Sequence, residues 1–136
     1  MATTDAPLYG EKTLLEWDRL WVRVPNGLKA KQRHLRSKLG LIRCTLNGRV
    51  MYIGTAADRR AGIAKRLYDF IRKSPSGRNH YAGRKIYENR ENLEVDVIYT
   101  GTSFDGQNLA EALKTPMIRL HRPEWNVANA PFQRKA

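Results

Sequence analysis

The stretch that most constrains the fold runs from Gly40 to Arg66, where two short apolar segments flank an Asn-Gly pair. Residues 41–46 and 50–53 have the composition of strands, and Asn47-Gly48 separates them. Both residues of an Asn-Gly pair tolerate the positive φ that a tight primed turn requires. The sequence therefore predicts a β-hairpin here.

The residues after Gly54 change from strand periodicity to helix periodicity. Candidate helix caps occur between Thr55 and Asp58, and apolar side chains then recur three or four positions apart. These apolar side chains are Ile63, Leu67, Phe70 and Ile71. Basic residues surround them: Arg59, Arg60, Lys65, Arg66, Arg72 and Lys73. The hairpin is therefore predicted to lead directly into a basic helix.

The charge balance indicates a polyanionic partner. Lys and Arg number 25 against 13 acidic residues, which gives a net charge of +12. Nucleic acid is favoured over a membrane surface, because no long amphipathic basic helix stands apart from the predicted core. A basic surface that only keeps the protein soluble is the alternative, although any clustered basic face binds phosphate backbones to some degree.

Length and cysteine content indicate a single intracellular domain. A chain of 136 residues can bury one core without disulfide or metal support. Cys44 is the only cysteine, so an intramolecular disulfide is impossible and a reducing compartment is expected. No stretch approaches the length of a membrane span, and the N-terminus lacks the pattern of a secretion signal. We therefore expect a cytoplasmic protein.

The N-terminal third is predicted to be a helical extension. Residues 11–24 place leucines and tryptophans on one broad apolar stripe, which favours a helix, and Pro25-Asn26-Gly27 ends it. Residues 28–38 are basic and contain few apolar side chains. This segment is either a solvated helix or loop, or a strip that lies on a phosphate backbone.

Three further elements complete the predicted fold. We expect a short helix over residues 78–90, a strand over 93–100 and a final helix over 109–122 after a loop at 101–108. The order β-β-α-α-β-α predicts an α+β fold in which a small, three-stranded, mainly antiparallel sheet is flanked by helices. Its predicted divisions are an N-terminal extension at 1–37, the main domain at 38–128 and a basic tail at 129–136.

Three motifs in this order resemble the GIY-YIG nuclease family. The second signature tripeptide is present as Tyr52-Ile53-Gly54, and the first is partly present as Gly40-Leu41-Ile42. Arg66 lies on the following helix, where the family has an arginine. The segment 110–127 is similar to the last helix of the family and carries its ending as Pro123, Trp125 and Asn126. The resemblance covers residues 38 to 128.

The resemblance implies a DNA endonuclease that depends on Mg²⁺ or another divalent cation such as Mn²⁺. Hydrolysis of a phosphodiester needs a positioned water, an acceptor for its proton and positive charge at the phosphorus. By resemblance, Arg66 would neutralise the phosphate and Tyr52 would orient or deprotonate the water. Asn126 would tie the chain end into the site, and His80 is a candidate proton carrier. A restriction or phage nuclease in a bacterial or phage-infected cell is the expected setting.

The carboxylate that would hold the metal ion is predicted at Glu111. Counting back from Asn126 places the family's glutamate at Lys114, whereas Glu111 lies three residues earlier and shares a helix face with it. A lysine ammonium cannot ligate Mg²⁺, so a chain in which Lys114 replaces the ligand would bind DNA and cut it poorly. Both possibilities remain open at this point.

The expected partner is double-stranded DNA, with no membrane partner. Cutting both strands requires two nicks, which makes a homodimer or a higher homo-oligomer a reasonable assembly. The candidate DNA-binding residues are Arg33, Arg36, Arg59, Arg60, Lys65, Arg78, Arg84 and Lys85.

Two other functions are compatible with the sequence. A DNA-binding module without catalysis is suggested by Lys114 and by the missing first tyrosine, since Ile42 stands where the family has one. A basic RNA-binding protein is a third reading, although the tyrosines are scattered along the chain and show no stacking platform.

Overall fold

The computed structural model describes residues 6–59, 62–72 and 81–129. Its strands are β1 (Leu8–Tyr9), β2 (Lys12–Thr13), β3 (Val22–Arg23), β4 (Leu39–Leu46), β5 (Arg49–Ala56) and β6 (Glu94–Gly101). Its α-helices are α1 (Leu14–Trp17), α2 (Gly62–Ile71), α3 (Tyr81–Glu88) and α4 (Phe104–His121). Short 3-10 helices lie at Gly27–Lys29, Arg33–Leu35 and Glu124–Asn129. None of the helices in the described ranges is long and apolar enough to cross a membrane.

The main sheet is antiparallel and has the strand order β3-β6-β4-β5. The predicted α+β class and antiparallel pairing are confirmed. The prediction of three strands was wrong, because Val22 and Arg23 pair with Val97 and Asp96 and so add a fourth strand at the edge. A separate two-stranded sheet forms from β1 and β2.

The predicted hairpin is present at β4 and β5. Asn47 and Gly48 both have positive φ, 51° and 82°, and Leu46 pairs with Arg49 across the turn. This is the backbone conformation for which the Asn-Gly pair is suited. Both strands are longer than predicted, because each continues along its partner beyond the apolar run that marked it in the sequence.

The two faces of the main sheet are covered by different helices. The face that carries Ile42, Cys44 and Tyr52 packs with α2 and α3. The opposite face packs with α4 and with the tryptophans of the N-terminal segment. Since residues alternate between faces along a strand, Tyr52 and Ile53 point into different cores.

The prediction of a helix over residues 11–24 was wrong. Only Leu14–Trp17 is helical, and it begins with a capping box in which Thr13 and Glu16 bond each other's backbone N–H groups. Trp17 is buried on the α4 face, whereas Val24 is buried in the core of the opposite face. The apolar stripe therefore does not describe one side of a helix. It belongs to a chain that passes around the edge of the sheet and contributes to both cores.

The last helix begins at Phe104, five residues before its predicted start. The sequence suggested a loop because it contains Gly101 and Gly106, but these glycines allow a close approach of two backbones. A Cβ at Gly106 would lie 2.6 Å from the Cα of Gly101. The hydroxyl of Thr100 donates to the carbonyl oxygen of Gly106 at 2.7 Å and fixes the first turn of the helix.

A buried carboxylate, Asp96, holds two arginines beside the edge strand. Arg23 Nε donates to one of its oxygens at 2.8 Å, and Arg43 Nη2 donates to the other at 3.2 Å. The hydrogen bond with Asp96 raises the pKa of Arg23 above its usual value. The indole of Trp21 stacks on the Arg43 guanidinium, whose Cζ lies 4.6 Å from the ring centroid.

Cys44 is expected to be unreactive in the folded protein. Burial, followed by the nearby charge of Asp96, raises the pKa of its thiol from 9.0 to about 12. The thiolate is the form that reacts with iodoacetamide, and at pH 8 the native chain contains a much smaller fraction of it than the urea-unfolded chain. Iodoacetamide should therefore label the native chain at least about 100-fold more slowly. Between about pH 9 and about pH 12 the thiol ionises mainly in the unfolded chain, so the free energy of unfolding should fall as the pH rises through that range. Rapid labelling of native protein, measured by mass spectrometry, would contradict the buried placement.

Candidate functional site

The two residues with the strongest predicted roles lie side by side between β5 and α2. Arg66 Nη2 donates to the hydroxyl oxygen of Tyr52 at 3.4 Å. Phe70 supports both groups: its ring meets Tyr52 edge-on at a centroid distance of 5.7 Å, and Arg66 Cζ lies 5.1 Å from its centroid. Tyr52 is only 9% exposed, whereas Arg66 is exposed. The phenol is therefore held in place, and the guanidinium can reach a ligand at the surface.

Gly54 makes this placement of Tyr52 possible. The two residues lie on the same face of β5, and the phenol leans along the strand over Gly54. A Cβ at Gly54 would lie 2.1 Å from the hydroxyl oxygen of Tyr52. The spacing of tyrosine and glycine in the Tyr-Ile-Gly tripeptide therefore has a steric cause, because any side chain at the third position would displace the hydroxyl of the first.

Asn126 connects the end of the fold to the same strand. Its side-chain amide donates to the carbonyl oxygen of Ile53 at 2.9 Å and accepts from the N–H of Ile53 at 2.9 Å. Trp125 beside it is almost fully buried and anchors the turn. The amide thus occupies the free edge of β5 next to Tyr52, as the next strand of a sheet would.

An open pocket of about 350 Å³ lies beside Arg66. Its lining includes two carboxylates, Asp58 and Asp69. Asp69 accepts from Lys65 at 2.8 Å and pairs with Arg72 at 3.3 Å, so two cations already neutralise it. Asp58 also lines the neighbouring pocket. The pocket therefore combines positive charge with two carboxylates, of which Asp58 also lines the neighbouring cleft.

Glu111 does not line the pocket that contains Arg66. It is exposed on α4, which packs on the face of the sheet opposite to Tyr52, and Lys114 is exposed on the same helix. Gln107, which lies one helical turn before Glu111 on α4, lines the neighbouring pocket together with Asp58.

The described residues fit a metal ion only in a loosely coordinated form. Within the described part of the chain, no group of three or more His, Cys, Asp or Glu side chains is arranged to hold an ion. Mg²⁺ is commonly held by one or two carboxylates while waters fill the remaining positions. The carboxylate of Asp58, in the pocket of Arg66, fits that mode.

The predicted DNA-binding residues fall into three places. Arg33, Arg36 and Lys65 line one groove. Arg59 stacks on the exposed ring of Phe104, with its Cζ 3.6 Å from the ring centroid. The remaining described residues, Arg84 and Lys85, lie on α3 against Tyr81. The predictions at Arg60, Arg78 and His80 lie outside the described residues.

Two residues that the structure places at these clefts, Asp58 and Tyr68, were not predicted to belong to a site, and Lys31 was included only as part of the basic segment 28–38. Asp58 was interpreted only as a helix cap, although its position between the Tyr-Ile-Gly tripeptide and Arg66 was a usable signal. Lys31 and Tyr68 are distant in sequence and become neighbours only through the packing of the N-terminal segment on α2. In comparisons with family models, curated proteins and solved structures, nothing matched this chain.

Proposed function

We propose that this protein is a DNA endonuclease that hydrolyses phosphodiester bonds in double-stranded DNA with the help of Mg²⁺ or Mn²⁺. The observation that carries the proposal is the contact, at 3.4 Å, between the Tyr52 hydroxyl and Arg66, which itself lines an open pocket. The Tyr-Ile-Gly tripeptide at residues 52–54 and the two hydrogen bonds between Asn126 and Ile53 further support the proposal, which extends the GIY-YIG resemblance of the sequence. A cytoplasmic location fits a protein that acts on intracellular DNA.

Arg66 would stabilise the negative charge that gathers on the phosphate during hydrolysis. It is exposed, and none of the described carboxylates forms an ion pair with it. A preorganised cation at the position of the developing charge lowers the barrier more than one that must be recruited from solvent. Tyr52 would accept a hydrogen bond from Arg66 and orient the attacking water with its own hydroxyl. Contacts of this kind are often long before the substrate binds.

A divalent ion, when bound, would supply further positive charge at the phosphate and polarise a water. We assign its carboxylate to Asp58, because Asp58 lines the pocket of Arg66, with Glu111 as the position expected from sequence. Mn²⁺ binding followed by calorimetry separates the two, since Asp58→Asn should abolish binding if Asp58 is the ligand and Glu111→Gln should leave it intact. The opposite result would return the assignment to Glu111.

The proposed activity is tested by nicking and linearisation of supercoiled plasmid in Mg²⁺, with EDTA as the blank. The parent chain should cut, and Arg66→Ala should reduce the rate by about 100-fold or more, the usual effect of removing one group that stabilises transition-state charge. Arg49→Ala is the matched control, because Arg49 is an exposed arginine at the far end of the hairpin. A parent that leaves the plasmid intact in Mg²⁺ and in Mn²⁺ would overturn the nuclease proposal.

The second candidate function is a DNA-binding module on the same fold that does not cut. It is favoured by Lys114, which is exposed on α4 at the position where the resemblance calls for a glutamate. Under this alternative the parent is inert and Lys114→Glu restores cleavage. If Lys114→Glu is also inert while binding to duplex DNA persists, the module is a binder whose site lacks more than one group.

A further inference from the structure

The basic segment before β4 is fixed in place by its buried side chains. Leu28 and Leu35 belong to the core beneath α2, which attaches the segment to the domain. Gln32 is 7% exposed, and its amide nitrogen lies within hydrogen-bond distance of three backbone carbonyl oxygens. These carbonyls belong to Pro25 at 2.9 Å, Gly27 at 3.0 Å and Ala30 at 3.3 Å. The cations carried by this loop are therefore presented in a defined arrangement.

These cations form one wall of a groove of about 400 Å³ whose other wall is α2. Lys31, Arg33 and Arg36 line it from the loop, and Lys65 lines it from the helix. Among the described residues, none of the three loop cations takes part in an ion pair, and no carboxylate contributes to the lining. The groove thus has an uncompensated positive charge, which favours a ligand with several negative charges along its length.

An aromatic ring is exposed on the wall of this groove. Tyr68 is 42% exposed, and the ammonium of Lys31 lies 5.2 Å from its ring centroid. Two other exposed rings in this fold have a cation over them: the Lys38 ammonium lies over Tyr99, and the Arg59 guanidinium lies over Phe104. A groove that combines cations with an accessible ring matches the way in which proteins bind single strands, where phosphates meet the cations and bases stack on the rings.

The groove and the pocket beside Arg66 share one lining residue, Lys65. Lys65 and Arg66 are adjacent on α2. A strand that lies in the groove and continues past Lys65 would reach the pocket that Arg66 lines.

We propose that this groove binds an unpaired segment of the same DNA strand on which the Tyr52–Arg66 site acts. Phosphates would contact Lys31, Arg33 and Arg36, and an unpaired base would stack on Tyr68. This inference rests on the proposed function and gives its substrate a more specific form, duplex DNA with a single-stranded extension. Blunt duplex DNA would bind at the Tyr52–Arg66 site without stacking a base on the Tyr68 ring.

The test is fluorescence anisotropy in EDTA, with a blunt duplex, the same duplex with a single-stranded extension, and the single strand alone. The double variant Arg33→Gln/Arg36→Gln should weaken binding to the extended and single-stranded DNA by about tenfold or more and reduce the slope of log affinity against log salt by roughly 1.4. Its control, Arg49→Gln/Arg119→Gln, removes the same charge from surfaces outside the groove and should leave the affinity within about twofold.

Tyr68→Leu should weaken binding to the single strand and the extended duplex by about tenfold, the effect expected for one lost stacking contact, and leave the blunt duplex unchanged. Tyr68→Phe keeps the ring and should retain the parent affinity. Parent-like binding of the single strand by Tyr68→Leu would overturn the proposal. So would loop-charge and control variants that behave alike, or an RNA strand of the same sequence that binds tenfold tighter than DNA.

These outcomes are separate from those of the cleavage assay. If the parent cuts plasmid while the groove variants bind like the parent, the nuclease proposal stands and the groove proposal fails. If the parent does not cut but the variants lose single-strand binding as described, the groove proposal stands without the nuclease.

Discussion

Replacing Gly40 by alanine should destabilise the fold by about 4 kcal/mol or more, the range in which a steric clash has no ready relief. A Cβ at this position would lie 1.7 Å from the carbonyl oxygen of Ile98 and 2.9 Å from its carbonyl carbon. Both atoms belong to the backbone of β6, and the pairing of β4 with β6 shifts in register at this point. The central strands would have to separate to accommodate a single methyl group.

Urea denaturation monitored by tryptophan fluorescence measures this loss, with Gly48→Ala as the control. Gly48 has a φ of 82° in the hairpin turn, but no atom lies within 4 Å of the added Cβ. Its alanine variant should therefore lose only about 1 kcal/mol, the cost of the left-handed backbone. If Gly40→Ala fails to fold, it should be absent from the soluble fraction, whereas Gly48→Ala should be present there. This result would also indicate a large destabilisation by the clash at position 40. Equal stabilities for the two variants would contradict the close approach of β4 and β6.

Asn126→Ala should cost about 3 kcal/mol, because it leaves two backbone groups of Ile53 without partners. The lost hydrogen bonds are the two 2.9 Å contacts between the Asn126 amide and the N–H and carbonyl of Ile53. Ile53 itself is fully buried, so water reaches these groups poorly. We also expect DNA to bind more weakly at Arg66, because Arg66 contacts Tyr52 and Tyr52 precedes Ile53 on the strand that the Asn126 amide fixes.

Asn126→Asp separates the hydrogen bonds from the shape of the side chain. A carboxylate can accept from the N–H of Ile53 but cannot donate to its carbonyl, so this variant should be at least as unstable as the alanine variant at neutral pH. Acidification that protonates the new carboxyl would restore a donor and recover part of the loss. Thermal melts at pH 4 and pH 7 measure this difference. A variant with parent stability at both values would show that the amide does not secure the edge of β5.

Local signals were sufficient for the elements that position Tyr52 and Arg66. Asn47-Gly48 determined the hairpin, and the helical spacing of Ile63, Leu67 and Phe70 determined α2. Both are short-range patterns, because the residues that produce them are neighbours within their own element. Once the hairpin and α2 pack against each other, the Tyr52 phenol and the Arg66 guanidinium lie close together without further long-range contacts.

The features that depended on distant contacts were not predictable from the sequence. The sequence pattern placed Trp17 and Val24 on one face of a helix, yet they pack on opposite sides of the sheet. The reason is that β3, which lies between them in sequence, pairs with the edge of β6. The early start of α4 depends on the contact of Gly101 with Gly106, which in sequence resembles a loop. Gln32 gave no sequence signal, although its amide fixes the basic loop.

The described residues limit strand addition at both edges of the main sheet. The edge at β3 is only two residues long, and at the other edge the Asn126 amide occupies the N–H and carbonyl of Ile53 in the middle of β5. An exposed sheet edge invites pairing between chains and, with it, aggregation. A second copy of this protein could not continue the sheet through Ile53 without displacing Asn126. The Asn126 amide therefore protects the middle of β5 from pairing with a second copy of the chain.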